Sequence, residues 1–208
     1  MTKKGSNKNY RRSASEERIL QAARSLFLAR GSAGVNMDLI SAEAEVARQT
    51  IYNHFDNKEA VFRAAIATHW EALSTELTCH LSLEEEPETV LRDVAQQVLD
   101  FIQQHDQVAM TRMVIAESFS NPSVAEMFFS LGKRPIRKQF IDYLTQASKR
   151  GALSCSQPQI ACDQYLGMIQ ESLLWPRVMG LAIQDLDDDN VVDQAISTFM
   201  ARYRAPSG

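Results

Sequence analysis

Residues 48–54 (RQTIYNH) concentrate side chains that can hydrogen-bond to nucleic-acid bases or phosphates. Arginine, glutamine and asparagine match the donor and acceptor patterns of base edges, and threonine and histidine can bond bases or phosphates. The polar side chains of this run are Arg48, Gln49, Thr50, Asn53 and His54. If the run is helical, they face away from an apolar side that contains Ile51 and Phe55. The sequence therefore predicts a helix that can read DNA.

Two short helical segments must position these side chains. Apolar residues at helical spacing predict one helix over 37–44, and a second helix follows over 47–55 after a break at Glu45 and Val46. Two short helices joined by so tight a turn form a helix-turn-helix, whose second helix is small enough to lie in a DNA major groove. We expect residues 47–55 to be that second helix.

Helices are also predicted on both sides of this pair. A capping box over 13–16 opens a helix that ends at Gly31, a residue suited to a helix C-terminus. Asn57 is a good N-cap for the next helix, which is predicted to run from Lys58 to about Leu81. A lysine in the first turn opposes the helix dipole, so its position is better explained if Lys58 faces a DNA phosphate.

Residues 31–61 resemble the DNA-binding domain of TetR-type transcriptional regulators. The most specific part of the likeness is TIYNHFDNKEAVF, and the matching residues are Gly31, Met37, Ile40, Ala44, Val46, Thr50, Ile51, Tyr52, His54, Phe55, Lys58, Glu59 and Phe62. The resemblance implies a double-stranded DNA operator as partner. The predicted DNA-binding residues are Asn36, Arg48, Gln49, Thr50, Tyr52, Asn53, His54 and Lys58. The family normally has glycine where this chain has Glu45, so we expect Glu45 to adopt a left-handed conformation at some cost.

The composition is that of an ordinary soluble globular protein, with 45% hydrophobic and 23% charged residues in 208. Glycine and proline are few, 8 and 6, which favours a mostly helical chain. No apolar run approaches the roughly 18 residues that span a bilayer, and there is no secretory start, so we expect a cytoplasmic protein with no membrane partner. The cysteines are Cys79, Cys155 and Cys162. Their spacing favours reduced thiols, with a redox-sensing pair as the alternative.

Charge is divided unevenly along the chain. Residues 1–63 contain 11 Lys and Arg against 7 Asp and Glu, a net charge of +4, whereas the whole chain has −4. Only the DNA-facing part must attract phosphate, so this division supports DNA binding by the N-terminal part. Residues 1–12 are basic and contain no acidic residue, and they are predicted to be disordered. They are either a solvated tail or an arm that adds DNA contacts.

The rest of the chain is predicted to be a helical body. Pro87, Pro122 and Pro158 are placed to open helices, and the pair at 175–176 to break one. The last helix is predicted over about 190–204. The last two long helices have broad apolar faces, which favours a homodimer interface of four-helix-bundle type. The alternative is that these faces only close the core of the monomer.

Residues 119–180 are similar to the C-terminal domain of AefR-like members of the same family. Met and aromatic side chains recur in the helical body at helical spacing, a pattern that usually means core packing. The resemblance implies a second role for them, as the lining of a pocket for a small, largely apolar effector of unknown identity. The candidate pocket residues are Trp70, Phe101, Met113, Phe119, Met127, Phe128 and Trp175. Ligand would then shift the chain between two conformations. We predict repression relieved by ligand, with activation as the alternative.

Other chemistries find little support in the sequence. It contains no glycine-rich phosphate loop and no histidine pair spaced for zinc, and no catalytic triad can be assigned. The acidic run DLDDDN at 185–190 lacks the glycine and glutamate of a calcium loop. We interpret it as a solvated loop in which Asp189 caps the last helix. We expect no metal, no cofactor and no enzymatic activity. A DNA-bound structural or division factor without an effector, and a helical enzyme, are the alternatives.

The predicted fold is therefore all-α. It comprises a basic arm over 1–12, a three-helix helix-turn-helix DNA-binding domain over 13–62, and a helical effector-binding and dimerisation domain over 63–208. The predicted function is a homodimeric transcriptional repressor that a ligand releases from its operator.

Overall fold

A computed structural model describes residues 12–76, 81–103, 105–130, 134–181 and 187–206, with the backbone alone for residues 70–76, 105 and 136. Within these residues the secondary structure is helical, apart from turns and one isolated bridge between Leu153 and Arg204. The helices are α1 (Ala14–Arg30), α2 (Met37–Glu43), α3 (Arg48–His54), α4 (Lys58–Glu76), α5 (Pro87–Gln103), α6 (His105–Ser118), α7 (Pro122–Phe128), α8 (Arg134–Lys149), α9 (Pro158–Leu173), α10 (Trp175–Met179) and α11 (Asp188–Tyr203). The all-α prediction is confirmed.

The chain divides into two compact units after Thr68. The sequence placed this boundary earlier, at residue 62, where the three-helix pattern ends. Helix α4 belongs to both units, because it begins at Lys58 in the first and ends at Glu76 in the second. Each unit has its own buried apolar side chains.

The first unit is built on the buried stripe of α1. Its N-cap is Ser13, whose Oγ accepts a hydrogen bond from the backbone N–H of Glu16 at 3.2 Å. The helix ends at Gly31, which has a φ of 66° that favours glycine. Phe27 meets Phe62 of α4 edge to face, with ring centroids 4.9 Å apart. The predicted N-cap at Ser13 and the C-terminal glycine are confirmed.

The turn between α2 and α3 depends on a left-handed residue. Glu45 has a φ of 51°, the only positive φ among the described residues other than glycine. The backbone N–H of Val46 reaches back to the carbonyl of Ser41 at 3.0 Å, which closes the turn. The conformation predicted for Glu45 is confirmed.

The second unit contains one large apolar core formed by α5, α8, α9, α10 and α11. Tyr165 is at its centre, with its ring 5.7 Å from that of Phe140 and 5.4 Å from that of Phe199. The Tyr165 hydroxyl donates to the carbonyl of Leu91 at 2.7 Å, so this buried polar group is satisfied. Burial raises the pKa of Tyr165, and the hydroxyl therefore keeps the proton that it donates.

Several predicted helix details are corrected by the structure. The cap of α11 is Asp187 rather than Asp189, because its Oδ1 accepts from the backbone N–H of Asp189 at 3.1 Å. Leu81, the predicted end of α4, is not helical. On α5, Val98 and Phe101 are partly buried against the core, and other side chains form the buried face of the helix. The described side chains buried there are Pro87, Val90, Leu91, Val94, Ala95, Leu99 and Ile102.

Two cysteines lie in the apolar core as free thiols. Cys155 and Cys162 are buried, and this burial raises the pKa of both thiols. Since the thiolate is the reactive form, both are expected to be poor nucleophiles, in line with the reduced state that the sequence favoured. Cys79 lies outside the described residues.

The described residues lack two further kinds of feature. None of their helices is both long and apolar enough to cross a membrane. None of their histidine, cysteine and acidic side chains forms a group of three that could hold a metal ion.

The strained turn gives a stability prediction. Replacing Glu45 by glycine removes the Cβ that disfavours a positive φ, and we expect the free energy of unfolding to rise by about 1 kcal/mol. Glu43→Gly is the matched control, because Glu43 is also exposed but ends helix α2, where glycine should cost about 1 kcal/mol. Urea unfolding followed by circular dichroism measures both. A stabilising Glu43→Gly or a destabilising Glu45→Gly contradicts the explanation.

Candidate DNA-binding surface

Buried side chains and one cap hold the two short helices in place. The Oδ1 of Asn36 accepts from the backbone N–H of Leu39 at 2.8 Å and so caps α2. Ile40 of α2 and Ile51 of α3 are fully buried. Helix α3 packs against both α1 and α2. The opposite side of α3 is thereby left open to solvent.

Four side chains of α3 are exposed on that open side: Arg48, Gln49, Tyr52 and Asn53. Within this set the Nε2 of Gln49 donates to the Oδ1 of Asn53 at 3.0 Å. The pair therefore presents the Oε1 of Gln49 as an acceptor and the Nδ2 of Asn53 as a donor. An acceptor beside a donor complements the N6 and N7 edge of adenine in the major groove.

Arg48 has two partners within the surface. Its Nε lies 3.0 Å from the Oδ1 of Asp38, and its guanidinium is 5.9 Å from the ring centroid of Tyr52. Both partners of the ion pair are more than half exposed, at 66% and 58%, so the pair contributes less than about 1 kcal/mol. DNA can therefore draw the arginine away from Asp38 at small cost.

Three other predicted DNA-binding residues are half-buried. Thr50 belongs to the first turn of α3, and its backbone N–H donates to the carbonyl of Ala47 at 2.8 Å. The Nε2 of His54 is 3.1 Å from the Oγ of Ser15 on α1. The Nζ of Lys58 donates to the carbonyl of Ser32 at 2.8 Å.

These contacts give His54 and Lys58 a structural role that the sequence did not predict. His54 bonds the end of α3 to α1, and Lys58 bonds the start of α4 to the loop after α1. An ammonium group has three N–H donors, so Lys58 keeps donors for a phosphate. The DNA contacts of both residues stay predictions. The arm was predicted over 1–12, and of these residues only Arg12 is described.

Ser15, Ser32 and Asp38 were not found by sequence reasoning. Each belongs to a different segment from the residue that it contacts: 39 positions separate Ser15 from His54 and 26 separate Ser32 from Lys58. No helical spacing could have paired them. Asp38 lies in the first turn of α2, where the helix dipole alone explains an acidic side chain. Its contact with Arg48 was therefore not predicted.

The structure does not gather the candidate pocket residues into one interior site. Phe119 is 96% exposed, so it cannot line a cavity within this chain, and that prediction is corrected. Trp175 is 37% exposed, which gives its predicted pocket role less support. Their pocket role was implied by the family resemblance, and neither resemblance nor helical spacing shows what a side chain faces. Met113 and Phe128 are buried, Phe101 and Met127 are half-buried, and the side chain of Trp70 lies outside the described residues.

Two family models match this chain. Residues 19–65 match the bacterial regulatory proteins of the tetR family, and residues 89–205 match the C-terminal domain of AefR-like transcriptional repressors. The second match alone covers more than half of the 208 residues. The chain belongs to the TetR family. Both resemblances seen in the sequence are confirmed, and the helix-turn-helix of this TetR-family regulator is its DNA-binding element.

Relatives and solved structures agree with this assignment. The chain is 23% identical over 193 residues to the HTH-type transcriptional regulator SrpR of Pseudomonas putida, a match that covers 91% of this chain and 85% of SrpR. It is similar to the structure of the flavonoid-responsive regulator FrrA, with a TM-score of 0.80, 26% identity, and coverage of 93% and 98%. A TetR-family structure from Mesorhizobium loti shares the fold, with a TM-score of 0.78, 21% identity, and coverage of 93% and 100%.

The ion pair of Arg48 gives a prediction about affinity. Asp38→Asn removes a carboxylate that competes with DNA for the arginine, so we expect tighter binding to the operator by roughly fivefold, or ~1 kcal/mol. Asp56→Asn is the control, since Asp56 is also exposed in this unit but is not paired with Arg48. Fluorescence anisotropy with a labelled duplex measures both. Weaker binding by Asp38→Asn would show that Asp38 positions the arginine instead.

Proposed function

We propose that this TetR-family regulator is a homodimeric repressor that a small, largely apolar ligand releases from its operator. The observation that carries the DNA part is the open face of α3, where Arg48, Tyr52 and the Gln49–Asn53 pair are exposed while Ile51 anchors the helix. The match to AefR-like transcriptional repressors supports repression. The response of FrrA to flavonoids, stated in its name, supports a ligand with an apolar body.

The roles of the exposed side chains differ by chemistry. Arg48 and Asn53 can hydrogen-bond to base edges, which carry the sequence, whereas Lys58 is suited to a phosphate, which does not. Because α3 is short, a single helix contacts only a few base pairs. Two recognition helices about 34 Å apart would read two half-sites in successive major grooves.

Mutation should separate the two roles. Arg48→Ala or Asn53→Ala should reduce the preference for operator over random DNA by ~1–3 kcal/mol. Lys58→Ala should weaken binding to both DNAs alike and lower the slope of log affinity against log salt by about 0.9. Arg18→Ala, which removes an exposed cation from α1, is the control and should change neither.

The measurement is fluorescence anisotropy across a salt series, with a duplex from the region upstream of the gene and a scrambled duplex of the same length. Sequence-selective, salt-steep binding of two protomers per site is the expected result for the wild type. Identical behaviour of the arginine, asparagine and lysine variants would contradict the assignment of roles.

A glycine in α9 supports a dimer through the last two long helices, α9 and α11. Gly167 lies in the middle of α9, is exposed, and has no heavy atom within 4 Å of where a Cβ would be. Glycine destabilises a helix interior, and nothing in the monomer requires it there. Ile160, which lies two helical turns earlier on the same face, is 48% exposed. Close approach of a partner helix explains both residues.

Substitution of this glycine tests the dimer. Gly167→Arg should leave the protomer folded, because the Cβ meets open space, but should separate the protomers and lower operator affinity by more than tenfold. Gly167→Ala is the control, and because alanine favours the helix it should stabilise the protomer by up to about 1 kcal/mol. Sedimentation velocity gives the mass of each variant. A dimeric Gly167→Arg would place the interface elsewhere.

The effector would bind in the second unit. Of the candidate pocket residues, Met113, Met127 and Phe128 fit this proposal best, because they are buried or half-buried on α6 and α7, which pack together. Helix α4 gives a route for coupling, since it runs from the first unit into the second. Ligand that favours one position of α4 would change the affinity of the dimer for its operator.

A further inference from the structure

The second unit has two buried layers that differ in polarity. The large core is formed by α5, α8, α9, α10 and α11. Among its described residues it buries tyrosine and cysteine but no histidine, serine, threonine, amide or charged side chain. The described polar side chains that are buried in this unit lie on α4 and α6 instead: they are His69, Gln107 and Thr111. A buried polar group is costly unless it is bonded, so such a cluster away from the main core calls for a reason.

Gln107 is the most constrained of the three. It is fully buried, and its Nε2 is 2.8 Å from the Nε2 of His69. An amide nitrogen can only donate, so the Nε2 of His69 accepts this hydrogen bond and the neutral ring carries its proton on Nδ1. One end of the glutamine amide is thereby satisfied by α4.

The other end of the same amide is not satisfied. The Oε1 of Gln107 is buried, and no donor in the described part of the chain reaches it. A buried acceptor without a donor destabilises a fold, so packing alone does not explain this oxygen. The position therefore has the signature of a group kept for a ligand rather than for packing.

The surroundings of this oxygen define the chemistry of a ligand. Met110 and Val114 lie one and two turns along α6 from Gln107, on the same face, and both are buried. Helix α7 packs against α6 and buries Val124 and Phe128. A molecule in this layer would meet apolar side chains and one strong acceptor.

We propose that Gln107 is the polar subsite of the effector site and selects a ligand with an apolar body and one hydroxyl or N–H donor directed at its Oε1. This inference rests on the proposed ligand response and assigns the chemical class of the ligand. His69 is a positioning residue: by accepting from Nε2 it turns the oxygen of Gln107, rather than the nitrogen, toward the ligand.

Two probes of nearly equal shape test the subsite. 2-Naphthol carries one hydroxyl on an apolar body, and 2-methylnaphthalene replaces that hydroxyl by a methyl group. The fluorescence of the probes, titrated with the full-length dimer, gives their dissociation constants. We expect the wild type to bind 2-naphthol at least tenfold more tightly than 2-methylnaphthalene. Equal affinities, or no binding of either probe up to its solubility, would overturn the proposal.

A variant locates the discrimination. Gln107→Met removes the oxygen and keeps the length of the side chain, so the ratio of the two affinities should fall to about one, while the affinity for 2-methylnaphthalene stays within twofold. Gln139→Met, on the exposed side of α8, is the control and should keep the wild-type ratio. A ratio that persists in Gln107→Met overturns the proposal. The wild-type ratio needs no variant, so it decides even if Gln107→Met does not fold.

Operator binding, measured on the same samples, keeps this test separate from the proposed function: a protein that binds its operator but not the probes refutes the subsite alone. Bound 2-naphthol that leaves operator affinity unchanged refutes ligand release alone.

Discussion

The DNA-binding surface depends on the burial of one side chain. Helix α3 is seven residues long, and Ile51 is the side chain that it buries. A helix of this length is unstable in water without tertiary contacts, so its position is set by what Ile51 packs against in α1 and α2. Because only Ile51 is fully buried, four of the seven side chains of α3 stay exposed. Because one buried side chain anchors α3, the position of this surface also depends on the turn that precedes the helix.

Most of the first unit was within reach of the sequence, because its signals are local. The conformation of Glu45 was expected from the family resemblance, since the family normally has glycine there. The caps at Ser13 and Asn57, the glycine at the end of α1 and the strained residue at position 45 each act within a few residues of their place in the chain. The spacing of apolar residues gave the helices for the same reason. Local rules and the observed fold agree most closely in the first unit.

Contacts between distant segments were out of reach. Helical spacing shows that residues share a face, but the neighbour of that face is chosen by the whole fold. Gln107 lies on α6 and Phe119 directly follows that helix, yet Phe119 is 96% exposed and Gln107 is fully buried. Phe119 was predicted to line the pocket, and no role was predicted for Gln107. The bond between His69 and Gln107 joins positions 38 apart, which no pattern in the chain could pair.

The amide pair on α3 has a consequence for how a complex would form. Glutamine and asparagine ordinarily lose side-chain freedom when they dock on a base, at about 0.5–1.5 kcal/mol for each ordered side chain. Here the bond between Gln49 and Asn53 restricts both before any DNA is present. Part of the entropic cost of recognition is then met during folding. The bond also couples the two amides, so if they contact bases, a change of base opposite one of them would affect both.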